Sequence, residues 1–138
     1  MENILHQVDI NASISSVYEA ITTQNGLANW WTKQTIAKVE VGFVNEFRFG
    51  DVHLKKMRIT ELIPNQKVHW VCEGDDDEWL DTPITFLLEE VNGKTRLRFA
   101  HRNWAEASEY YEVCNFHWAF FLQSLRLYCE TGSGQAFG

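Results

Sequence analysis

The C-terminal segment that begins at Ser108 constrains the fold most, because it predicts one long helix with too many apolar side chains for an ordinary surface helix. Its apolar residues recur at three- and four-residue spacing, as on the buried face of a helix. They are Cys114, Trp118, Phe121, Leu122, Leu125, Tyr128 and Cys129, and the band is widened by Tyr110, Val113, His117 and Phe120. At about 1.5 Å per residue the helix would reach roughly 33 Å, the width of a small domain. The rest of the chain must therefore wrap around it.

Both ends of this helix carry capping signals. Ser108 is suited to the N-cap, and Glu109 and Glu112 place negative charge on the first turn. Arg126 adds positive charge near the other end and is expected on the side of the helix opposite the apolar band. Gly132 stands where a left-handed C-cap glycine belongs. These signals predict that the helix stops shortly before the chain does.

The chain before the helix is rich in predicted strands. It begins with a strand at residues 4–10 and two short helices at 13–23 and 24–31, with Asn25-Gly26 as a break between the helices. Six more strands follow at residues 35–41, 45–50, 52–62, 67–73, 82–90 and 95–103. Short turns separate them, so successive hairpins and an antiparallel sheet are expected. Apolar and polar residues alternate in the last two strands, which predicts a sheet with one solvent-exposed face and one face covered by the long helix.

The charge argues against nucleic-acid and anionic membrane partners. The chain has 19 acidic and 12 basic side chains and a formal net charge of −7, so phosphate backbones and anionic membrane surfaces repel it at long range. No segment approaches the roughly 18 apolar residues that a membrane-spanning helix needs. We therefore expect no nucleic-acid partner and no integral membrane association.

The cysteines indicate the compartment. Cys72, Cys114 and Cys129 are odd in number, lack CxxC spacing and fall within predicted strands or helix, which is typical of buried thiols in a reducing environment. The opening sequence MENILHQVDI lacks the basic and apolar regions of a secretory leader. These features predict a cytoplasmic protein, and no linker divides residues 1–138, so one domain is expected.

Several groups of residues share their pattern with a known family. The opening group is Ile10, Ala12, Val17, Tyr18, Ala20 and Ile21, followed by the Trp30-Trp31 pair. The hairpin group is Ile59, Glu61, Pro64, Ile84, Phe86, Leu88, Thr95, Leu97 and His101. The final and most specific group is Trp118, Leu122, Leu125, Tyr128 and the run from Glu130 to Gly134. In these groups the chain resembles the START-like (SRPBCC, birch-pollen-allergen-like) superfamily, and within it the homologues of the activator of the ninety-kilodalton heat-shock-protein ATPase.

The resemblance implies an α+β helix-grip fold, in which a curved seven-stranded antiparallel sheet wraps around the C-terminal helix. It also implies a cavity between sheet and helix that takes a small apolar or amphiphilic molecule. The residues expected to line it are Trp30, Trp31, Trp70, Phe86, Phe99, His101, Tyr110, Cys114, His117, Trp118 and Phe121. Two positions depart from the family pattern: His117 stands where the family usually has glycine, and Ala136 stands where a proline often occurs.

Neither a cofactor nor a metal is predicted. No two histidines lie at i, i+4 on one helix, and no Cys/His spacing matches a zinc site. The acidic run 75–78 lacks the alternating ligand pattern of a calcium loop and is interpreted as a solvated hairpin tip. Cys114 has only His117 as a basic neighbour, so a buried structural thiol is favoured over a nucleophile.

Two other classes of function stay open beside ligand binding. One is an enzyme of the polyketide-cyclase or hydrolase kind, in which His101, His117 or Tyr110 would transfer protons. Against this, a buried histidine that serves only the core is the simpler interpretation of His101 and His117. The other class is a stress-response module that docks on a chaperone through its surface.

Overall fold

The structure is a computed structural model that describes residues 1–51, 53–75 and 78–138. It opens with strand β1 (Glu2–Ile10) and helices α1 (Ile14–Thr22) and α2 (Gln24–Trp30). Six strands follow: β2 (Gln34–Ile36), β3 (Val44–Phe49), β4 (His53–Ile63), β5 (Lys67–Glu73), β6 (Pro83–Val91) and β7 (Lys94–Trp104). The last element is helix α3 (Glu109–Thr131).

The strands form one seven-stranded sheet in the order β1-β7-β6-β5-β4-β3-β2, with every neighbouring pair antiparallel. Successive hairpins build it from β2 to β7, and β1 closes the other side by pairing with β7. The predicted helix-grip fold is confirmed. No helix in the described ranges is long and apolar enough to cross a membrane.

One strand is shorter than its pattern predicts. The run 35–41 was expected to be extended throughout, but β2 ends at Ile36. The next two backbone amides donate to side chains instead of to the backbone of β3: Ala37 N–H donates to Gln24 Oε1 and Lys38 N–H donates to Asn45 Oδ1. Side chains that compete for backbone groups end a strand in this way. The predicted start of β4 at Val52 lies outside the described residues.

The break between α1 and α2 was predicted at the wrong residue. Thr23 is both the C-cap of α1 and the N-cap of α2, and its hydroxyl accepts a hydrogen bond from Gly26 N–H at 3.0 Å. Gly26 itself lies inside α2 and is buried. Glycine is needed there because a Cβ would lie 2.6 Å from the carbonyl oxygen of Ala20 in α1. The glycine therefore marks close packing of two helices and not a turn.

Helix α3 begins and ends where its sequence predicts. Ser108 Oγ accepts from Tyr111 N–H at 3.1 Å, and Gly132 adopts φ +88° with its N–H donating to Tyr128 C=O. Its covered face consists of Cys114, Trp118, Leu122, Ser124 and Leu125. The expected burial of Val113, His117 and Phe120 is wrong, because all three remain exposed. The sheet thus covers α3 on one face only.

Arg126 is also placed differently from its prediction. It is half-buried, and its Nε is shielded from solvent with no hydrogen-bond partner among the described residues. Helix α3 contacts β1, α1 and α2, and residues 124–129 are all buried or half-buried. Burial therefore extends around the helix at its C-terminal end and narrows toward its N-terminal end.

Candidate functional site

An open cleft of about 730 Å³ lies between the N-terminal half of α3 and the hairpin of β3 and β4. Seven residues of α3 line it: Tyr110, Val113, Cys114, His117, Trp118, Phe120 and Phe121. Trp118 lies at its base. The hairpin side contributes Phe49, Gly50, Asp51, His53 and Lys55. Trp31, Trp79 and Phe137 complete the lining. This volume lies within the range of about 300–1,000 Å³ that is typical of small-molecule sites.

The base of the cleft is a layer of indole rings. Trp118 stacks on Trp31 with 5.0 Å between ring centroids and on Trp79 with 5.9 Å. Trp31 is stacked in turn on Trp70 of β5, 6.1 Å away and nearly parallel. All of these rings are buried against the sheet. Such a layer offers a flat, rigid and apolar surface to a ligand.

The adjacent pair Trp30 and Trp31 divides its roles. Trp30, the last residue of α2, is fully buried and donates its indole N–H to Ala20 C=O at 2.8 Å. Trp31 lines the cleft and is 2% exposed. Adjacent positions in a continuing helix cannot both face inward, but α2 stops at Trp30 and Trp31 has φ −106° and ψ −71°. The end of the helix lets both rings turn inward, where they stack nearly parallel with 6.0 Å between their centroids.

A lysine lies buried in the aromatic wall. Lys55 is 6% exposed, its Nζ donates to Tyr110 Oη at 2.6 Å, and the ammonium lies 4.0 Å from the centroid of Trp79. The phenol oxygen accepts this hydrogen bond, and the face of an indole ring attracts a cation. The inward position of Lys55 could have been predicted from the alternation along β4. The alternation that turns Met57 and Ile59 inward along β4 turns Lys55 inward as well.

His101 lies behind the cleft and belongs to the core. It is fully buried on β7, and Trp118 Nε1–H donates to its Nδ1 at 3.2 Å. The proton of the neutral ring therefore sits on Nε2, which donates to Thr82 Oγ1 at 2.7 Å. Thr82 in turn donates to the carbonyl of Trp79. This chain of hydrogen bonds holds two of the cleft tryptophans in place, which is a positioning role.

The predicted lining residues fall into two groups. Six lie at the cleft: Trp31, Tyr110, Cys114, His117, Trp118 and Phe121. The other five are buried in the core behind it: Trp30, Trp70, Phe86, Phe99 and His101. Residues of the second group do face the inside of the sheet, but α1, α2 and the middle of α3 fill that part of the interior. The cleft lies outside this filled region, between the N-terminal half of α3 and the hairpin of β3 and β4.

Within the described residues, no three His, Cys, Asp or Glu side chains lie close enough together to hold a metal ion. In the acidic run 75–78, Asp76 and Asp77 lie outside the described residues, and Glu78 accepts a hydrogen bond from the hydroxyl of Ser108, the N-cap of α3. Asp75 and Glu78 are both exposed, as expected for a solvated tip, and the carboxylate of Glu78 is also tied to the N-terminus of α3.

Comparison with known proteins agrees with this architecture. The family described as Activator of Hsp90 ATPase homolog 1-like protein matches residues 11–130. A solved structure described as the Aha1 dimer from Colwellia psychrerythraea is 40% identical to this chain, with a TM-score of 0.89. The match covers 97% of this chain and 100% of the Colwellia chain.

More distant structures share the fold alone. A Bacillus halodurans protein is 24% identical with a TM-score of 0.76, and the match covers 94% of this chain and 98% of that one. A Staphylococcus saprophyticus protein is 18% identical with a TM-score of 0.79, covering 98% of this chain and 97% of that one. Among proteins of curated function, none matches the chain.

Proposed function

This chain belongs to the family of Activator of Hsp90 ATPase homolog 1-like proteins, and on that premise we propose that it binds a small apolar or amphiphilic molecule in its cleft. The observation that carries the proposal is the cleft of about 730 Å³ built on stacked indole rings. A space of this size lined by rigid aromatic groups is suited to flat or flexible apolar ligands, because apolar ligand surface leaves water when it enters.

The polar groups of the cleft favour an amphiphilic ligand. Asp51, His53 and His117 line the cleft together with the aromatic rings, and the ammonium of Lys55 lies in its aromatic wall. A few polar groups among apolar ones usually set the orientation of a ligand rather than its affinity. The role of His101 in the core supports noncovalent binding over proton-transfer chemistry, since both of its ring nitrogens bond to core side chains.

Titration with two probes tests this function. Dodecanoate and the dye 1-anilinonaphthalene-8-sulfonate should bind saturably, compete with each other, and leave the near-ultraviolet circular dichroism of the folded state in place. At a ligand concentration of 100 Kd, mass action adds about 2.7 kcal/mol of stability. In a domain of this size that corresponds to a rise in Tm of roughly 8 °C. Absence of saturation and of any thermal shift with both probes would refute the proposal.

A pair of tryptophan substitutions on α3 locates the binding site. His117→Trp puts a large ring into the cleft at an exposed position, so affinity for both probes should fall. Ala119→Trp puts the same ring on the same helix but away from the cleft, and affinity should stay unchanged. Equal loss in both variants would show that the probes bind elsewhere.

Contact with a chaperone is the second candidate function. The family description names an activator of the Hsp90 ATPase, so we propose that this chain also binds a chaperone of that class. The thiols of the described residues form no disulfide, which suits a cytoplasmic partner. Stimulation of the ATPase of the chaperone by the purified chain would support this function, and a complete lack of co-sedimentation would remove it.

Self-association is proposed on the same basis. The Colwellia structure is described as a dimer, and it matches this chain over nearly its whole length. We therefore propose that two copies of this chain associate.

A further inference from the structure

Part of the side of α3 that the sheet leaves open is apolar, between the exposed residues Glu112 and Gln123. We call it the outer face, and it consists of Val113, Phe116 and Phe120. These side chains are 48%, 74% and 46% exposed. The whole segment 113–125 contains no Asp, Glu, Lys or Arg. In a chain with a net charge of −7, an exposed helix that is free of these residues over several turns is unusual, since surface helices normally carry charges on their open side.

The apolar area of the outer face and of the adjoining cleft rim approaches what a stable dimer needs. Phe137 lines the cleft together with Phe120 and is 45% exposed. Taking about 200 Å² for a whole phenylalanine side chain, Phe116, Phe120 and Phe137 expose roughly 330 Å². A standard interface buries about 800 Å² on each partner, of which a little over half is apolar, or roughly 450 Å². Val113 supplies part of the remainder.

Another exposed apolar pair is less suited to a second copy. Leu5 of β1 and Leu87 of β6 are 56% and 43% exposed on the outside of the sheet. Lys67, Arg98 and Arg102 surround them in the same shallow depression. Two copies joined by a twofold axis at this place would bring like charges together, because the same surface lies on both sides of such an interface. The outer face of α3 carries no such charges.

We infer that a second copy of this chain packs on the outer face of α3, with the two helices antiparallel, and that it covers the open side of the ligand cleft. A twofold axis that passes between the two helices at the level of residue 118 would set Phe116 of one copy against Phe120 of the other. The inference about the cleft rests on the proposed ligand binding, whereas the inference about the interface does not.

The cleft and the interface share residues, which connects the two events. Val113 and Phe120 belong to the outer face and also line the cleft. A partner helix on this face would therefore remove the cleft opening from water. Ligand would bind the dimer more tightly than the monomer, and by thermodynamic reciprocity ligand would strengthen the dimer by the same factor.

Sedimentation equilibrium tests the interface without any ligand. The wild-type chain should show the mass of a dimer, and Phe116→Glu should show the mass of a monomer, because each variant dimer would hold two buried carboxylates. Phe116 is mostly exposed and does not line the cleft, so its replacement should leave the Tm of the fold near the wild-type value. Leu5→Glu is the matched control on the sheet and should remain a dimer.

Three results would overturn the interface: a monomeric wild-type chain at all concentrations, a Phe116→Glu variant that stays dimeric, or a Leu5→Glu variant that alone becomes monomeric. If the wild-type chain is a monomer and Phe116 is instead needed for chaperone binding, the outer face is the site of that partner, and the proposed dimer interface is overturned too.

Dodecanoate binding tests the connection between the interface and the cleft. Its affinity should rise with protein concentration in the wild type and stay constant in Phe116→Glu, and an equal affinity in both refutes the connection. If dodecanoate binds neither variant, the proposed ligand function fails while the sedimentation result still decides the interface.

Discussion

The substitution Gly26→Ala separates local propensity from tertiary packing. Gly26 lies inside α2, where alanine normally stabilises a helix by about 1 kcal/mol relative to glycine. An isolated helix with this sequence should therefore become more stable. In the folded protein, however, an added Cβ would lie 2.6 Å from the oxygen and 2.7 Å from the Cα of Ala20. Carbon atoms in contact prefer about 3.5–4.0 Å, so α1 and α2 must move apart by roughly 1 Å.

The expected loss of stability follows from the contacts between α1 and α2 that this movement disturbs. Overpacking usually costs about 1–3 kcal/mol, and the upper end applies here because the obstacle is backbone that cannot rotate away. The same carbonyl of Ala20 accepts the indole N–H of Trp30, and weakening that bond adds up to about 1 kcal/mol. After the gain in helix propensity is subtracted, Gly26→Ala should lower the free energy of unfolding by about 2–3 kcal/mol.

Urea denaturation followed by tryptophan fluorescence measures this change. Asn25→Ala is the control, since Asn25 is an exposed neighbour in the same helix and its replacement should change stability by at most about 0.5 kcal/mol. If Gly26→Ala proved as stable as the wild type, or more so, the close packing of α1 on α2 would be wrong.

Three further predictions concern single residues. Leu125 is 1% exposed on the covered face of α3, so Leu125→Ala should cost about 2–5 kcal/mol in chemical denaturation, and a change below 1 kcal/mol would contradict its core position. Burial lowers the pKa of His69 below its usual 6.5, so the unfolded chain binds the proton more readily than the folded chain. The contribution of His69 to the free energy of unfolding should be complete above pH 6.5 and should fall as the pH drops toward the folded pKa. The fall should be smaller in His69→Gln. Burial raises the pKa of Cys129 to about 12, so this thiol should stay protonated at pH 8 and react with a disulfide reagent far more slowly in the folded chain than in urea, and equal rates would contradict its burial.

The sequence predicts well where structure is decided locally. Ser108 and Gly132 cap α3 with their own side chain and backbone, and these signals depend on a few neighbouring residues. The alternation in β6 and β7 also survives folding, because one face of each strand is buried. Gly26 is the exception, because the need for glycine there comes from the backbone of Ala20 in another helix.

The position of the cleft could not be predicted in the same way. Periodicity shows that Phe86 and Phe99 face inward, yet it cannot show whether another element fills the space before them. In the structure Phe86 meets Trp30 and Phe99 meets Trp118, so both sit in a filled interior. Phe137 was missed for the opposite reason: it follows α3, and only the chain reversal near Gly134 brings it to the cleft.

The central claim is that the cleft beside α3 binds an apolar or amphiphilic molecule, and the indole N–H signals of the six tryptophans test it most directly by nuclear magnetic resonance. The three that line the cleft are Trp31, Trp79 and Trp118. The three in the core away from it are Trp30, Trp70 and Trp104. On titration with dodecanoate, the first three signals should shift saturably with a single Kd while the second three stay nearly fixed. Shifts of all six signals by similar amounts, or no saturable shift at the first three, would contradict the account.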